Sequence, residues 1–427
     1  MTISNNILKN VIFDQRENIR EFNIVPREYS FEANGSYVLV GLRRAGKSTL
    51  LYKMVQDLVA SGVSWEQIIY INFEDERLTG FQTTDFNNIL AVQAELSNKK
   101  GYYFFDEIQN VDGWDKFARR LADAKEHVCI TGSNAKMLSK DIEKTLGGRY
   151  LSKYISTYNF REFLTANKIN HGKNDLYQTK TMGTVKACFD QYYIFGGFPE
   201  SLLYKEKREY VSSIYQKILL GDVVARNGIR NDDVLRIMMK KIAETVGQPL
   251  SYTKLHDIVT NIGYKISKDS IINYVENAKD AFLLFDIQNY FAKLADKESN
   301  PKYYYYDNGL VNLFLVDKKS ILLENVVAVT LKNKYKDDLY YLKSSKTNID
   351  VDFYIPGIKT AVQVAYELSA TSRDREIDNL VKLSKNMKDA ERFIIVTYDE
   401  EDIIEKDGVK INVIPAYLFC LDNDNEY

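Results

Sequence analysis

The chain has 427 residues, 45% of them hydrophobic and 27% charged, with a formal net charge of −2. That length exceeds what one hydrophobic core serves, so two or three domains are expected, and the near-neutral charge supplies no global field to draw nucleic acid. Scattered cysteines (Cys129, Cys188, Cys420) and histidines (His127, His171, His256) disfavour a disulfide framework and a zinc cluster.

The amino terminus, MTISNNILKNVIFDQREN, lacks the apolar run of a signal peptide, and no stretch approaches transmembrane length. A cytoplasmic protein with no membrane partner is therefore expected. Next in the chain, SYVLVGLRRAGKSTLLYKM (Ser36–Met54) reads as a buried strand over Tyr37–Val40, a loop, and a helix from Ser48. The loop spells Gly41-x4-Gly46-Lys47-Ser48, the phosphate-binding pattern in its required strand–loop–helix context. Glycines let backbone amides curl around phosphate oxygens, and the new helix aims its N-terminus at their charge. The nucleotide-binding set is Gly41, Leu42, Arg43, Arg44, Ala45, Gly46, Lys47, Ser48 and Thr49. Lys47 is placed for the β- and γ-phosphates and Ser48 for Mg2+, while Arg43 and Arg44 either touch phosphate or face solvent.

Another apolar strand, in QIIYINFEDERL, comes before GYYFFDEIQNV (Gly101–Val111), a strand ending in two carboxylates. Asp106 is the expected metal-holding group and Glu107 the base that orients and deprotonates a lytic water. The strand of HVCITGSNAKML, His127–Thr131, delivers Ser133 and Asn134 to the same edge, where ligands of open α/β sheets bind. Asn134 is read either as a sensor of the γ-phosphate or as a turn former.

The segments GLRRAGKSTL, DEIQNVDGW, ITGSNAKMLS, LGGRY and GGFPE, in this order, resemble a bacterial and archaeal family of AAA+ ATP-binding proteins. The resemblance spans nearly the whole chain. It implies an α/β architecture: a P-loop ATPase core with a parallel sheet, a helical and winged-helix segment, and a carboxyl-terminal α/β domain similar to restriction-type nucleases. ATP and Mg2+ are the cofactors implied, and a homo-oligomer or a protein partner is an open possibility. Arg149, in LGGRY, falls where related ATPases keep an arginine able to reach a neighbouring subunit's γ-phosphate. Arg226, in GDVVAR, is a second nucleotide-sensing candidate; for each, a surface ion pair is the alternative.

The expected division is residues 1–160 for the ATPase core, 161–227 for a helical lid or linker, 228–310 for the winged helix and 311–427 for the nuclease-like domain. Within the lid, Gly196-Gly197-Phe198-Pro199 ends a helix and is expected to pack the lid onto the core. In the next segment helices are expected from Val234 to Val246, after Ser251 and after Ser267, then strands around Phe282–Tyr290 and Lys302–Tyr306. From Gly228 to Tyr290 eight basic residues face eight acidic ones, so this module offers DNA little non-specific affinity and is read as a packing or assembly element.

In the last domain the expected order is an amphipathic helix containing Glu324, three strands, a helix over Arg373–Asn386 and the strand RFIIVT. A restriction-type nuclease would hold metal there with an acid from that helix, a strand-end Asp and an acid on the next strand, aided by a lysine. Glu324 and Asp352 are present, but Gln363 and Ala365 stand where the strand acid and the lysine belong. Glu367, assigned to the same strand face, lies too far along to substitute. The chemistry reads as eroded, and nuclease activity is not expected. The expected function is a Mg2+-dependent ATPase or nucleotide-driven switch controlling domain packing or partner assembly. The alternative is an ATP-gated DNA-binding protein or nuclease effector.

Overall fold

The structure, a computed structural model, describes residues 3–32, 35–138, 140–293, 300–316, 318–369 and 372–421. The chain divides into two compact units, Met1–Ser156 with Asp280–Phe282 and Thr157–Lys279 with Leu283–Tyr427. No helix among the described residues is long and apolar enough to cross a membrane.

The first unit begins with helix α1 (Asn5–Glu21), capped by the Ser4 side chain accepting from the Ile7 amide. This helix is not among those expected from the sequence. Its Arg16 is 3% exposed and donates to the Ile68 carbonyl at 2.7 and 3.0 Å, fastening the helix to the sheet. The sheet has five parallel strands: β1 (Tyr37–Val40), β2 (Ile68–Asn72), β3 (Tyr102–Asp106), β4 (His127–Gly132) and β5 (Leu151–Tyr154), ordered β2-β3-β4-β1-β5. Strands β1 to β4 are almost wholly buried, as near-continuous apolar runs in a parallel sheet should be. Helices α2 (Lys47–Ala60), α3 (Phe86–Leu96), α4 (Trp114–Asp123) and α5 (Lys140–Leu146) connect them. Strand β5 escaped the sequence reading because Leu151 and Ser152 are exposed on the sheet edge and break the apolar run.

The second unit starts with α6 (Phe160–Ala166), α7 (Thr179–Phe195) and α8 (Lys207–Lys217), the last running into a π-helical stretch over Ile218–Ala225. Gly196 caps α7 at φ 76°, where a Cβ would stand 1.8 Å from an Asp307 carboxylate oxygen, and a Cβ on Gly197 would stand 2.1 Å from the Tyr158 carbonyl. The Gly-Gly pair thus permits close packing within this unit. Helices α9 (Asp232–Glu244), α10 (Tyr252–Asn261) and α11 (Lys268–Asp280) follow, then strands β6 (Leu284–Asn289) and β7 (Lys302–Tyr305). Ser251 caps α10 through the Lys254 amide, and Ser267 accepts from the Ser270 amide at the start of α11.

After α12 (Asn308–Asn312) and α13 (Lys319–Tyr335) come β8 (Tyr340–Ser344), β9 (Ile349–Ile355), β10 (Thr360–Val364), α14 (Arg373–Asn386) and β11 (Arg392–Thr397). A hairpin, β12 (Asp402–Lys406) and β13 (Val409–Pro415), and α15 (Ala416–Leu421) complete the described chain beyond the last strand expected. All eight strands join one mixed sheet, ordered β12-β13-β11-β10-β9-β8-β6-β7. Parallel pairing of Gln288 with Tyr340 and Asn289 with Tyr341 carries that sheet across the expected boundary at residue 310. Such pairing between strands fifty residues apart leaves no local signature. Strand β10 ends at Val364, so the alternation assigned to Glu367 does not reach it.

Candidate functional site

The phosphate loop leaves β1 at Gly41, whose φ of +153° and proximity to Ile155 exclude a side chain: a Cβ would lie 2.1 Å from the Ile155 carbonyl. Leu42 and Ala45 are fully buried and pin the loop, while Arg44 faces solvent in the left-handed region at φ 64°. Gly46, at φ 95°, starts α2, and Lys47, Ser48 and Thr49 form its first turn. The segment before β1 clamps this loop: Arg27 donates to the Ala45 carbonyl at 2.8 Å and the Ser156 carbonyl at 2.9 Å. Nothing in the local sequence marks Arg27 for that role.

Lys47 is 4% exposed, and its ammonium donates to the Gly41 and Leu42 carbonyls at 3.1 Å each. The same group lies 3.7 Å from Glu107 Oε1. Asp106 and Glu107 occupy the carboxyl end of β3, and β4 runs between that strand and the loop strand β1. This order puts Thr131 of β4, and Ser133 just beyond it, against the two acids. Thr131 donates its hydroxyl to Asp106 and accepts from the Glu107 amide at 3.0 Å. Ser133 donates to Glu107 Oε2 at 3.1 Å, and Gln109 donates to the same oxygen. Tyr70, from β2, donates to Asp106 Oδ2 at 2.8 Å.

The two acids are electrostatically distinct. Complete burial, reinforced by the charge on Glu107, raises the Asp106 carboxyl above its usual range, with hydrogen bonds from Thr131, Ser48 and Tyr70 opposing. For Glu107 burial also favours protonation, but the Lys47 charge, with help from Gln109, Arg43 and Ser133, outweighs it and leaves the group below its usual range. Glu107 itself sits in the left-handed region at φ 51°, a strained conformation of the kind found where a side chain must be aimed.

Asn134 arrives at the same edge, but its side-chain oxygen accepts from the Lys136 amide at 2.7 Å, closing a turn. Ser133, just beyond β4, is hydrogen-bonded to Glu107. Arg43 pairs with Glu74 at 2.8 Å, beside the carboxyl end of β2. Arg149 stands elsewhere. Leu151 pairs with Tyr37, the first residue of β1, so Arg149 lies at the opposite edge of the sheet from the phosphate loop. Four residues separate Tyr37 from Gly41, roughly 13 Å at 3.3 Å per residue. There Arg149 pairs with Asp123 at 2.6 Å, at the end of α4. Arg226, in the second unit, pairs with Asp222 one helical turn away at 3.2 Å.

The family described as an AAA domain matches residues 33–164, and a domain of unknown function, DUF8612, matches residues 186–320. An uncharacterised protein of Methanocaldococcus jannaschii is 34% identical over 431 residues, covering 97% of this chain and 95% of that one. The chain belongs to the same family of AAA-domain proteins. An uncharacterised protein of Haemophilus influenzae is 30% identical over 393 residues, covering 89% of this chain and 93% of its own. Among solved structures, the Walker-type ATPase of Pyrococcus abyssi aligns over 72% of this chain and 95% of its own, at 13% identity and a TM-score of 0.42. The Orc1 protein of Aeropyrum pernix, solved with DNA, aligns over 76% and 93% at 14% identity and a TM-score of 0.29. The AAA domain thus contains the loop, both acids and Arg149.

Proposed function

We propose that this AAA domain binds ATP with Mg2+ and hydrolyses it, and that turnover acts as a switch coupled to assembly with another copy of the chain. The carrying observation is the convergence of Lys47, Ser48, Asp106 and a Ser133-held Glu107 at one end of the parallel sheet. The loop amides from Gly41 to Thr49 would cradle the phosphates. Lys47 would exchange the carbonyls of Gly41 and Leu42 for β- and γ-phosphate oxygens.

Ser48 and Asp106 fit a magnesium site: they are hydrogen-bonded to each other, and the buried carboxylate carries a desolvation penalty that a cation would offset. Bound there, Mg2+ would neutralise phosphate charge. Glu107, ionised and aimed by Ser133 and Gln109, takes a proton from water as the water oxygen attacks the γ-phosphorus and ADP leaves. Purified protein should release phosphate from ATP in the presence of Mg2+, and Lys47→Ala should abolish nucleotide binding measured by calorimetry. A wild-type chain that neither binds nor cleaves ATP would refute this reading.

Arg149 sits too far along the sheet to serve its own phosphate loop, so its catalytic role requires a second copy. Arg149→Ala should lower turnover about tenfold or more, a conservative figure for such an arginine. Mixing Arg149→Ala with Glu107→Gln, each impaired by itself, should raise turnover above that of either variant, because one copy supplies the base and the other the arginine. Mixtures no more active than the average of the two variants would show that Arg149 has only its structural pairing with Asp123.

A further inference from the structure

In the second unit a polar cleft of about 680 Å³ opens between α13, β9, β10 and α14, and its walls carry Glu324, Asp352, Gln363 and Glu376. The neutral residue at 363 does not leave a gap. Gln363 donates its amide to Glu376 Oε2 at 2.7 Å and accepts from the Asp352 amide at 3.4 Å, tying α14 to the two strands. Among the described residues no group of three or more His, Cys, Asp or Glu is placed to hold a metal ion.

A buried cation of the chain itself lies against two of these acids. Lys302, the first residue of β7, is 1% exposed, and its Nζ lies 3.2 Å from Asp352 Oδ1 and 3.7 Å from Glu324 Oε1. Asp352 Oδ2 is turned to the Val364 amide at 3.0 Å, and Glu324 Oε1 accepts from the Tyr304 hydroxyl at 2.9 Å. Gly247 makes room on the other side: at φ +83° its Cβ would stand 2.1 Å from Glu324 Oε2. We propose that the Lys302 ammonium occupies the position between Glu324 and Asp352 that a divalent cation would need, making the cleft a metal-independent site and confining the chain's divalent-ion binding to the phosphate loop.

Physical arguments support this. A buried ammonium so close to two carboxylates repels a second cation and takes lone pairs that a metal would require. Burial works against its charge, but Asp352, Glu324 and Asp350 together outweigh that effect and keep it protonated. Removing the ammonium would leave an acidic pocket with its counter-ion missing, which is what binds hard divalent cations.

The experiment is a Mn2+ calorimetric titration of the nucleotide-free full chain in wild-type, Asp352→Asn, Lys302→Met and Lys302→Met/Asp352→Asn forms. Methionine keeps much of the lysine stem's volume, so packing is least disturbed. Up to about 1 mM we expect the same uptake by wild type and Asp352→Asn, one additional ion bound by Lys302→Met at least about tenfold more tightly than that limit, and loss of that ion in the double variant. The proposal is overturned if wild type binds one Mn2+ that Asp352→Asn removes, or if folded Lys302→Met takes up no additional ion. Should Lys302→Met fail to fold in buffer, recovery of a cooperative melt on adding Mn2+ supports the proposal, and no recovery overturns it.

Discussion

Replacing Glu107 by Gln is expected to slow phosphate release by about 10³-fold while ATP still binds, since general-base catalysis contributes roughly 10²–10⁴. The substitution preserves shape and most contacts. Ser133 can still donate to the side-chain oxygen, as can Gln109, and the strained backbone at φ 51° is unaltered. What disappears is the negative charge and with it the ability to take a proton from water. The Lys47 ammonium, 3.7 Å away, loses an opposing charge and is freer to meet phosphate, so nucleotide affinity should hold or rise. Phosphate-release kinetics and an ATP-binding titration on one preparation separate the two effects. Because the Glu107 carboxyl lies below its usual range, it stays ionised as pH falls. Wild-type turnover should therefore show no loss through this group until pH drops below about 4.3, the ordinary Glu value. Turnover in Glu107→Gln equal to wild type would remove the assigned base.

The readable parts of this site are those whose meaning is local. The loop spelling, its flanking strand and helix, and the two acids at the end of β3 are contiguous residues, and each lies where the pattern placed it. The supporting contacts are different. Thr131 and Ser133 meet Asp106 and Glu107 only because β4 separates β1 from β3, a fact of strand order and not of spelling. Likewise Arg149 is legible as an arginine after β4, yet its distance from its own loop follows from the register of Leu151 against Tyr37. In the second unit, helix α14 and strand β11 fall on the residues expected, because amphipathic spacing and an apolar run fix them. The Lys302–Asp352 pair spans fifty residues, and no periodicity announces it.

Asp307→Ala should destabilise the chain by about 3 kcal/mol at pH 5, the size expected for stranding buried donors at about 1–3 kcal/mol each. Asp307 is 2% exposed and accepts three hydrogen bonds: from the Thr157 hydroxyl at 2.8 Å, the Gly197 amide at 2.8 Å and the Gly309 amide at 2.9 Å. It also caps α12, so one carboxylate joins the chain before α6, the turn after α7 and the start of α12. Alanine leaves all three donors without that acceptor. The pH dependence gives a sharper test than the size. Burial raises the Asp307 carboxyl to about 6, against the opposing pull of its three donors. The folded state therefore holds a proton more tightly than the unfolded state, and wild type gains stability as pH falls through about 6. Between pH 7 and pH 5 that gain is on the order of 1 kcal/mol, and the alanine variant cannot share it. Equilibrium urea unfolding of both chains should show a deficit that grows as pH falls from 7 to 5. A deficit unchanged over that interval would mean the carboxyl is held ionised in the folded state, and that its three donors outweigh the cost of burying the charge.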